Sequence, residues 1–401
     1  MYIIRDIEQR LKENKGTYIQ ILIGPRQCGK STQFAVLSEG VFREVTFDDL
    51  QLRYLADRDP ALFLEQYPPP IIIDEIQYAP NIFPEIKRVV DQIKREKLLN
   101  KLSDDVQVLF RLTGSNQILL DENVKETLVG RASYFYMNTL SFHEVKRAFP
   151  TIKLSEVMFQ GGWPELYSNL ALNPVQYLND YIRNYVEKDI VVSAGIVKKR
   201  EFHTVLGMLA ARTANILNHS ALAKDSGVKS VTINEWISIL ERTQLLYLLP
   251  PVESNLNKRL IKSPKVYFLD TGLAVRLQGW LDIHPLMQSP QAGSLFETLV
   301  LAEIVKCIMN FGKNWKIAMW RTKEGEEVDF ILENEKGDYL ALDAKLGIHG
   351  IQPMKIPTGL LKTFPSINKM IIISYNGKKL WLSKDCLQLP LSELTDFLLS
   401  W

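Results

Sequence analysis

The stretch Gly24-Pro25-Arg26-Gln27-Cys28-Gly29-Lys30-Ser31 has the residue types and spacing to hold a polyphosphate. It fits G-x-x-x-x-G-K-[ST] at every position. Glycines let successive backbone amides turn into one concavity that cradles phosphates. A helix starting at about Lys30 adds its positive N-terminus. Lys30 is placed to reach the β- and γ-phosphates, and the Ser31 hydroxyl to ligate magnesium, with Thr32 beside them. The expected ligands are therefore ATP and Mg.

Such a site needs carboxylates at the end of a neighbouring buried strand, and Ile71-Ile72-Ile73-Asp74-Glu75 supplies two. Asp74 suits the magnesium, through water. Glu75 suits the general base that polarises an attacking water, which favours hydrolysis over binding alone. Leu109-Phe-Arg-Leu-Thr113-Gly-Ser115-Asn116 places small polar groups just past another strand. Ser115 is there a candidate sensor of the γ-phosphate. Arg131, after Gly130, is a candidate charge-stabilising finger, in cis or on a neighbouring copy.

A second carboxylate set lies near the C-terminal end. Val328-Asp329-Phe330-Ile331-Leu332 and Leu340-Ala341-Leu342-Asp343-Ala344-Lys345 read as strands around a turn at Glu335-Lys336-Gly337. Gly337 suits the left-handed position of a three-residue loop. Centring the turn on Lys336 sets Asp329 opposite Asp343. Period-two alternation then puts Val328, Phe330 and Leu332 on one face and Asp329, Asp343 and Lys345 on the other. Two facing aspartates repel unless a cation separates them, so a magnesium site is expected. Asp-x(13)-Asp-x-Lys resembles the active-site pattern of restriction-endonuclease-like nucleases, in which Lys345 would position the water. Glu297, on the same helix face as Leu301 and Ile304, would be the acidic residue of the early helix. The chemistry implied is metal-assisted phosphodiester hydrolysis. The plainer reading is a solvated hairpin with a salt bridge to Lys345.

The N-terminal half resembles the prokaryotic AAA+ ATPases whose phosphate loop reads Gly-Pro-Arg-Gln-x-Gly-Lys. The matching stretches are Gly24 to Ser31, Ile72 to Glu75, Leu112 to Asn116, and Leu128-Val-Gly-Arg131 before Leu140-Ser-Phe-His-Glu144. Gly161-Gly-Trp-Pro-Glu165 and the Tyr-rich helix ending in Lys188-Asp189 also match. Lys265-Val-Tyr-Phe-Leu-Asp270-Thr-Gly-Leu273 resembles the signature of the C-terminal domain of unknown function that those proteins carry. Cys28 departs from the usual small aliphatic residue, in a loop that works through backbone amides.

The elements that must position these groups are legible as runs. Tyr18 to Ile23, Arg43 to Phe47, Ile71 to Ile73 and Val106 to Leu112 read as strands alternating with helices, which predicts a parallel sheet covered on both faces. From about 150 to 215 the pattern is helical, with Tyr177, Tyr181 and Tyr185 on one face. Ser220 to about Leu246 reads as two helices split by Gly227, followed by strands at Leu245 to Leu249 and Lys265 to Leu269. That is the outline of a winged helix. Its second helix offers few cations for phosphates, and the basic stretch Asn257 to Lys262 is the counter-evidence. The fold class expected is α/β. A P-loop parallel-sheet AAA+ domain at 1–150 precedes a helical lid and winged-helix region at 151–285. A small α/β restriction-endonuclease-like domain at 286–401 ends the chain.

Composition sets the outer limits. The chain has 401 residues, 48 Lys and Arg against 46 Asp and Glu, and 46% hydrophobic residues. That content supports sizeable cores and argues against disorder. Near neutrality excludes a globally basic nucleic-acid coat, so any such site is a local patch. Three cysteines, without CxxC spacing, make neither a disulfide framework nor a zinc site. The five histidines form no ligand spacing. No apolar core of a signal peptide and no 18-residue apolar run is present, so the expected address is the cytoplasm with no membrane partner. The function expected is an ATPase that couples hydrolysis to movement of a winged-helix and nuclease-like module on DNA, as an oligomer or alone. The alternatives are a nucleotide switch acting on a protein partner and an ATP-gated nuclease.

Overall fold

The computed structural model describes residues 1–14, 16–99, 107–114, 128–191, 195–252, 263–322, 325–347 and 355–401, except the side chains of 187–189. The described chain packs as two compact units: Ile4–Asn138 with Met309–Phe311, and the remainder from Thr139 onward with Met1–Ile3. The helical middle and the C-terminal sheet share one unit because their elements pair with each other. Just past the strand at Leu246–Leu249, Val252 donates to the Met319 carbonyl at 2.6 Å and Met319 to Pro250 at 2.9 Å.

The first unit is built on a five-stranded sheet. Its strands are β1 (Ile19–Ile23), β2 (Arg43–Thr46), β3 (Ile71–Asp74), β4 (Phe110–Gly114) and β5 (Ala132–Tyr136). All pairings are parallel and the spatial order is β2-β3-β4-β1-β5. Strand β5 joins the strands expected from the sequence. Ile19, Ile21, Ile23, Ile71 and Ile73 turn into one core with Phe63, Ile86 and Val90 of the overlying helices. Leu22 and Ile72 turn the other way, onto Leu11, Cys28 and Phe34. A strand apolar on both faces reads as a continuous run, which is why β1 and β3 stand out in the sequence.

The second unit carries helices and two sheets. Helices Lys199–Ala211, His219–Ser226 and Ser230–Arg242 lie in sequence with β6 (Asn215–Ile216), β7 (Leu246–Leu249) and β8 (Lys265–Phe268). The strands form an antiparallel sheet in the order β6-β8-β7. Asn218 caps helix His219–Ser226 by accepting from the Ala221 amide, and Gly227 at φ 69° ends it. The stretch Asn257 to Lys262 lies outside the described residues.

The larger sheet comprises β9 (Lys316–Arg321), β10 (Glu327–Glu333), β11 (Tyr339–Lys345), β12 (Met370–Ser374), β13 (Leu380–Trp381) and β14 (Cys386–Pro390), in the order β13-β14-β12-β11-β10-β9. The hairpin register is centred on Lys336, with Phe330 facing Leu342 and Leu332 facing Leu340. Gly337 takes φ 80° in its loop. A bulge between Val328 and Ile331 breaks the alternation expected for β10. Val328 therefore shares its core with Ile331 and Ala341 instead of Phe330.

Asp270 is the polar hub of this unit. It accepts from the Thr139 hydroxyl at 2.8 Å, the Gly162 amide at 2.9 Å and the Leu273 amide at 3.1 Å. A Cβ on Gly161 would collide with that carboxylate, one on Gly162 with the Leu140 carbonyl, and one on Gly272 with the Gln160 backbone. No helix among the described residues is long and apolar enough to cross a membrane.

Candidate active site

The loop between β1 and helix Lys30–Ser38 is folded as a cradle. Gln27 and Gly29 both have positive φ, 62° and 97°, which turns successive amides toward one side. Gly29 stands at the N-cap with no side-chain acceptor, so the amides of the first turn keep their capacity for an anion. Lys30 is buried and its ammonium donates to the carbonyls of Gly24 at 3.0 Å and Pro25 at 2.8 Å. Ser31 and Thr32 are exposed at the helix start.

Packing fixes the loop from below. A Cβ on Gly24 would collide with the Met137 carbonyl oxygen, so that position must be glycine. The fully buried Cys28 thiol lies 3.4 Å from the same carbonyl. Arg5 donates to the carbonyls of Cys28 at 2.8 Å and Asn138 at 2.7 Å, tying the loop to the end of β5. Sequence reasoning missed Arg5, whose only signal was a cation among apolar residues near the start.

Strand order brings the carboxylates to this loop. Strand β4 lies between β1 and β3, so the ends of all three adjoin. Asp74 ends β3, and the buried Thr113 hydroxyl on β4 donates to Asp74 Oδ1. Glu75 follows at φ 53°, a left-handed backbone that a glutamate adopts at a cost. It is 7% exposed and its Oε2 accepts from the Gln77 amide. Ser115, expected one residue beyond β4, lies outside the described residues.

Arg131 does not join them. It precedes β5, whose Ala132 pairs with Ile19 at the start of β1. At about 3.3 Å per residue, five residues of strand set it roughly 16 Å from the phosphate loop. Its guanidinium is held in a bidentate pair with Asp91, at 2.6 and 2.9 Å. The cis-finger expectation is corrected accordingly.

The C-terminal residues do come together, but around a lysine. Lys265 of β8, 5% exposed, places its ammonium 2.9 Å from Glu297, 2.6 Å from Glu327 and 3.6 Å from Asp329. Tyr267 donates to the same Glu297 oxygen at 2.5 Å. Asp329 accepts from the Ala344 amide at 2.9 Å, and Lys345 sits 2.6 Å from Asp343. Burial, and then the Asp329 charge, pushes Asp343 up to about 8. The same two causes raise Glu297 to about 7, against the opposing pull of Lys265. Burial works against the Lys265 ammonium, but Glu297 and Asp329 outweigh it and its pKa ends above the ordinary lysine value. Among the described residues no group of three or more His, Cys, Asp or Glu is placed to hold a metal ion. Lys265 is the cation beside Glu297, Glu327 and Asp329, and Lys345 the one beside Asp343, so ammonium groups already compensate these carboxylates as arranged.

Comparisons with known proteins bear on the domain that carries the first site. Residues 16–146 match the family model described as AAA domain. Residues 151–283 and 292–393 match two models described as Domain of unknown function, DUF8612 and DUF4143. An uncharacterized protein of Mycobacterium tuberculosis is 26% identical over 319 residues, which cover 79% of this chain and 67% of that protein. An uncharacterized protein of Haemophilus influenzae is 23% identical over 298 residues, covering 66% and 70%. Among solved structures, the Walker-type ATPase of Pyrococcus abyssi covers 69% of this chain and 96% of its own at 14% identity, with a TM-score of 0.38. The ORC2 protein of Aeropyrum pernix covers 71% and 91% at 12% identity, with a TM-score of 0.32. Likenesses of that size are too distant to speak to activity. The family match and the loop geometry together make residues 16–146 an AAA-type P-loop ATPase domain.

Proposed function

We propose that this AAA-type domain binds ATP on Gly24–Thr32, hydrolyses it with Glu75 as general base, and uses the cycle to move the modules C-terminal to it. The oxygen donors at the site fit magnesium, a hard cation. The Ser31 hydroxyl and Asp74 would hold it, and it would supply positive charge against the phosphates. Lys30 exchanges its two loop carbonyls for phosphate oxygens. Thr113 keeps the Asp74 carboxylate aimed, and Glu75 accepts the proton of the attacking water.

One observation carries the hydrolytic reading: the strained backbone of Glu75, beside Asp74 and at the end of the strand next to β4. Strain of this kind gathers where chemistry needs a fixed side chain. Lys30→Ala is expected to lose ATP affinity. Glu75→Gln is expected to bind ATP and hydrolyse it at least ~100-fold slower. Undiminished hydrolysis by Glu75→Gln would remove the base assignment.

The partner is the open half. The three helices and the β6-β8-β7 sheet have a winged-helix outline, which supports DNA as the object moved. The exposed side of helix Ser230–Arg242 favours the second reading, a switch read by a protein partner. It presents Val231, Asn234, Glu235 and Ser238, with Arg242 near its end, a weak footprint for phosphates. A DNA titration at rising salt separates the two, since phosphate contacts give a steep salt slope and a flat baseline at low salt excludes them. A charge-stabilising arginine would come from a neighbouring copy. The lysine-centred C-terminal cluster supports a structural role over cleavage.

A further inference from the structure

The cavity of about 830 Å³ in the first unit lies away from the nucleotide site. It opens where helix Lys30–Ser38 ends and where β1 and β4 begin, the opposite end of the sheet from the phosphate loop. Its volume is within the range of about 300–1,000 Å³ usual for small-molecule sites. Leu11, Leu37, Val41, Phe42 and Val108 give it an apolar wall.

Arg111 is the unusual part of that wall. It is 9% exposed, pairs across the sheet with Gln20, and stacks on Phe42 with its guanidinium carbon 4.3 Å from the ring centre. One Nη donates to the Ser38 hydroxyl. Its Nε is buried without a partner, as is the Oε1 of Gln20. Among the described residues Arg111 has no carboxylate partner, and desolvation alone pulls its pKa down to about 10. The carbonyl end of helix Lys30–Ser38 compensates only in part, with about half a charge. Of the charges at the rim, Lys12 is paired with Glu8 at 2.7 Å, and Glu39 acts on Lys12. A buried cation without a counter-ion is costly and is rarely kept without a role.

We propose that this cavity binds an organic anion, a carboxylate or phosphate monoester carried on an apolar body, with Arg111 as its counter-charge. The acid group would meet the guanidinium, where charge-assisted hydrogen bonds are strong. The body would lie along Leu37, Val41 and Phe42. This site is independent of the ATP reading, because none of its residues belongs to the phosphate loop.

The test is thermal unfolding of the full chain with octanoate, octyl phosphate and neutral octanamide, with and without ATP. Either anion should raise the wild-type Tm by several degrees at saturation, and octanamide should not. Which anion acts tells a carboxylate source from a phosphate one. Arg111→Met should erase the anion effect and leave ATP binding intact. Should that variant fail to fold, Val41→Trp at the exposed edge fills the cavity and should erase the effect instead. No shift with either anion, an equal shift with octanamide, or an anion shift that survives both substitutions overturns the proposal.

Discussion

Lys265 Nζ lies 2.9 Å from Glu297 Oε1, though 32 residues separate them in the chain. The contact joins β8 of the three-stranded sheet to helix Gln291–Phe311, and Glu327 and Asp329 of β10 close on the same ammonium. One lysine thus holds three elements of the second unit. Lys265→Met keeps the volume and removes the charge, leaving carboxylates facing one another. Stability is expected to fall by about 3–5 kcal/mol at pH 8. The loss should shrink at pH 5, where carboxyl protons replace the missing cation. Urea titrations at both pH values measure it, and an equal loss at both would contradict the cluster as described.

Asp343 sets a second pH dependence. Its folded pKa of about 8 lies above the value near 4 of an unfolded aspartate. The folded state therefore holds the proton more tightly. This contribution is fully present below about pH 4 and is lost as pH climbs to about 8. Asp343→Asn imitates the protonated acid. It should flatten the fall in stability between pH 5 and 8 and leave the variant more stable than wild type above pH 8. A steeper fall in the variant would reverse the assignment.

The strain at Glu75 makes a trade-off. Glycine accepts φ 53° freely, so Glu75→Gly should stabilise the fold by about 1 kcal/mol. The same change removes the proposed base and should abolish ATP turnover while ATP still binds. Chemical denaturation and a phosphate-release assay read the two halves. A destabilised variant would mean that the carboxylate, not the backbone, dominates that position.

Arg131 and Asp91 should behave as a pair. Either substitution to alanine should cost at most about 1 kcal/mol, since both groups are partly solvated. ATP turnover should be the same in both variants. A drop of tenfold or more in Arg131→Ala alone would return the arginine to catalysis, in a neighbouring copy's site.

How much of the molecule was legible depends on where each signal lives. Ile71-Ile-Ile-Asp74-Glu75 shows strand and carboxylates together because a strand buried on both faces needs no alternation. Strand β5 was missed because Ala132-Ser-Tyr-Phe-Tyr136 is a half-exposed edge with mixed residues. The hairpin register at Lys336 was readable, since turn length fixes pairing. The bulge in β10 was not, since one extra residue leaves no mark in composition. The facing of Asp329 and Asp343 led to the expectation of magnesium, whereas the cations beside them are lysines, Lys265 at Asp329 and Lys345 at Asp343. The Lys265 contact spans 64 residues from Asp329, which no local pattern encodes. Arg5 and Arg111 were silent for the same reason.

The glycines around Asp270 bear on how kinship is recognised. Gly161, Gly162 and Gly272 stand where backbone meets backbone or carboxylate, and no larger residue fits. A string such as Leu-Asp-Thr-Gly will persist in descendants of this architecture whatever they do, because geometry polices it. Scanning mutagenesis should find these positions as intolerant as the phosphate loop, yet with damage that shows as lost soluble protein rather than lost turnover. Shared signatures here testify to ancestry and shape, and an enzyme and an inert cousin would display them alike.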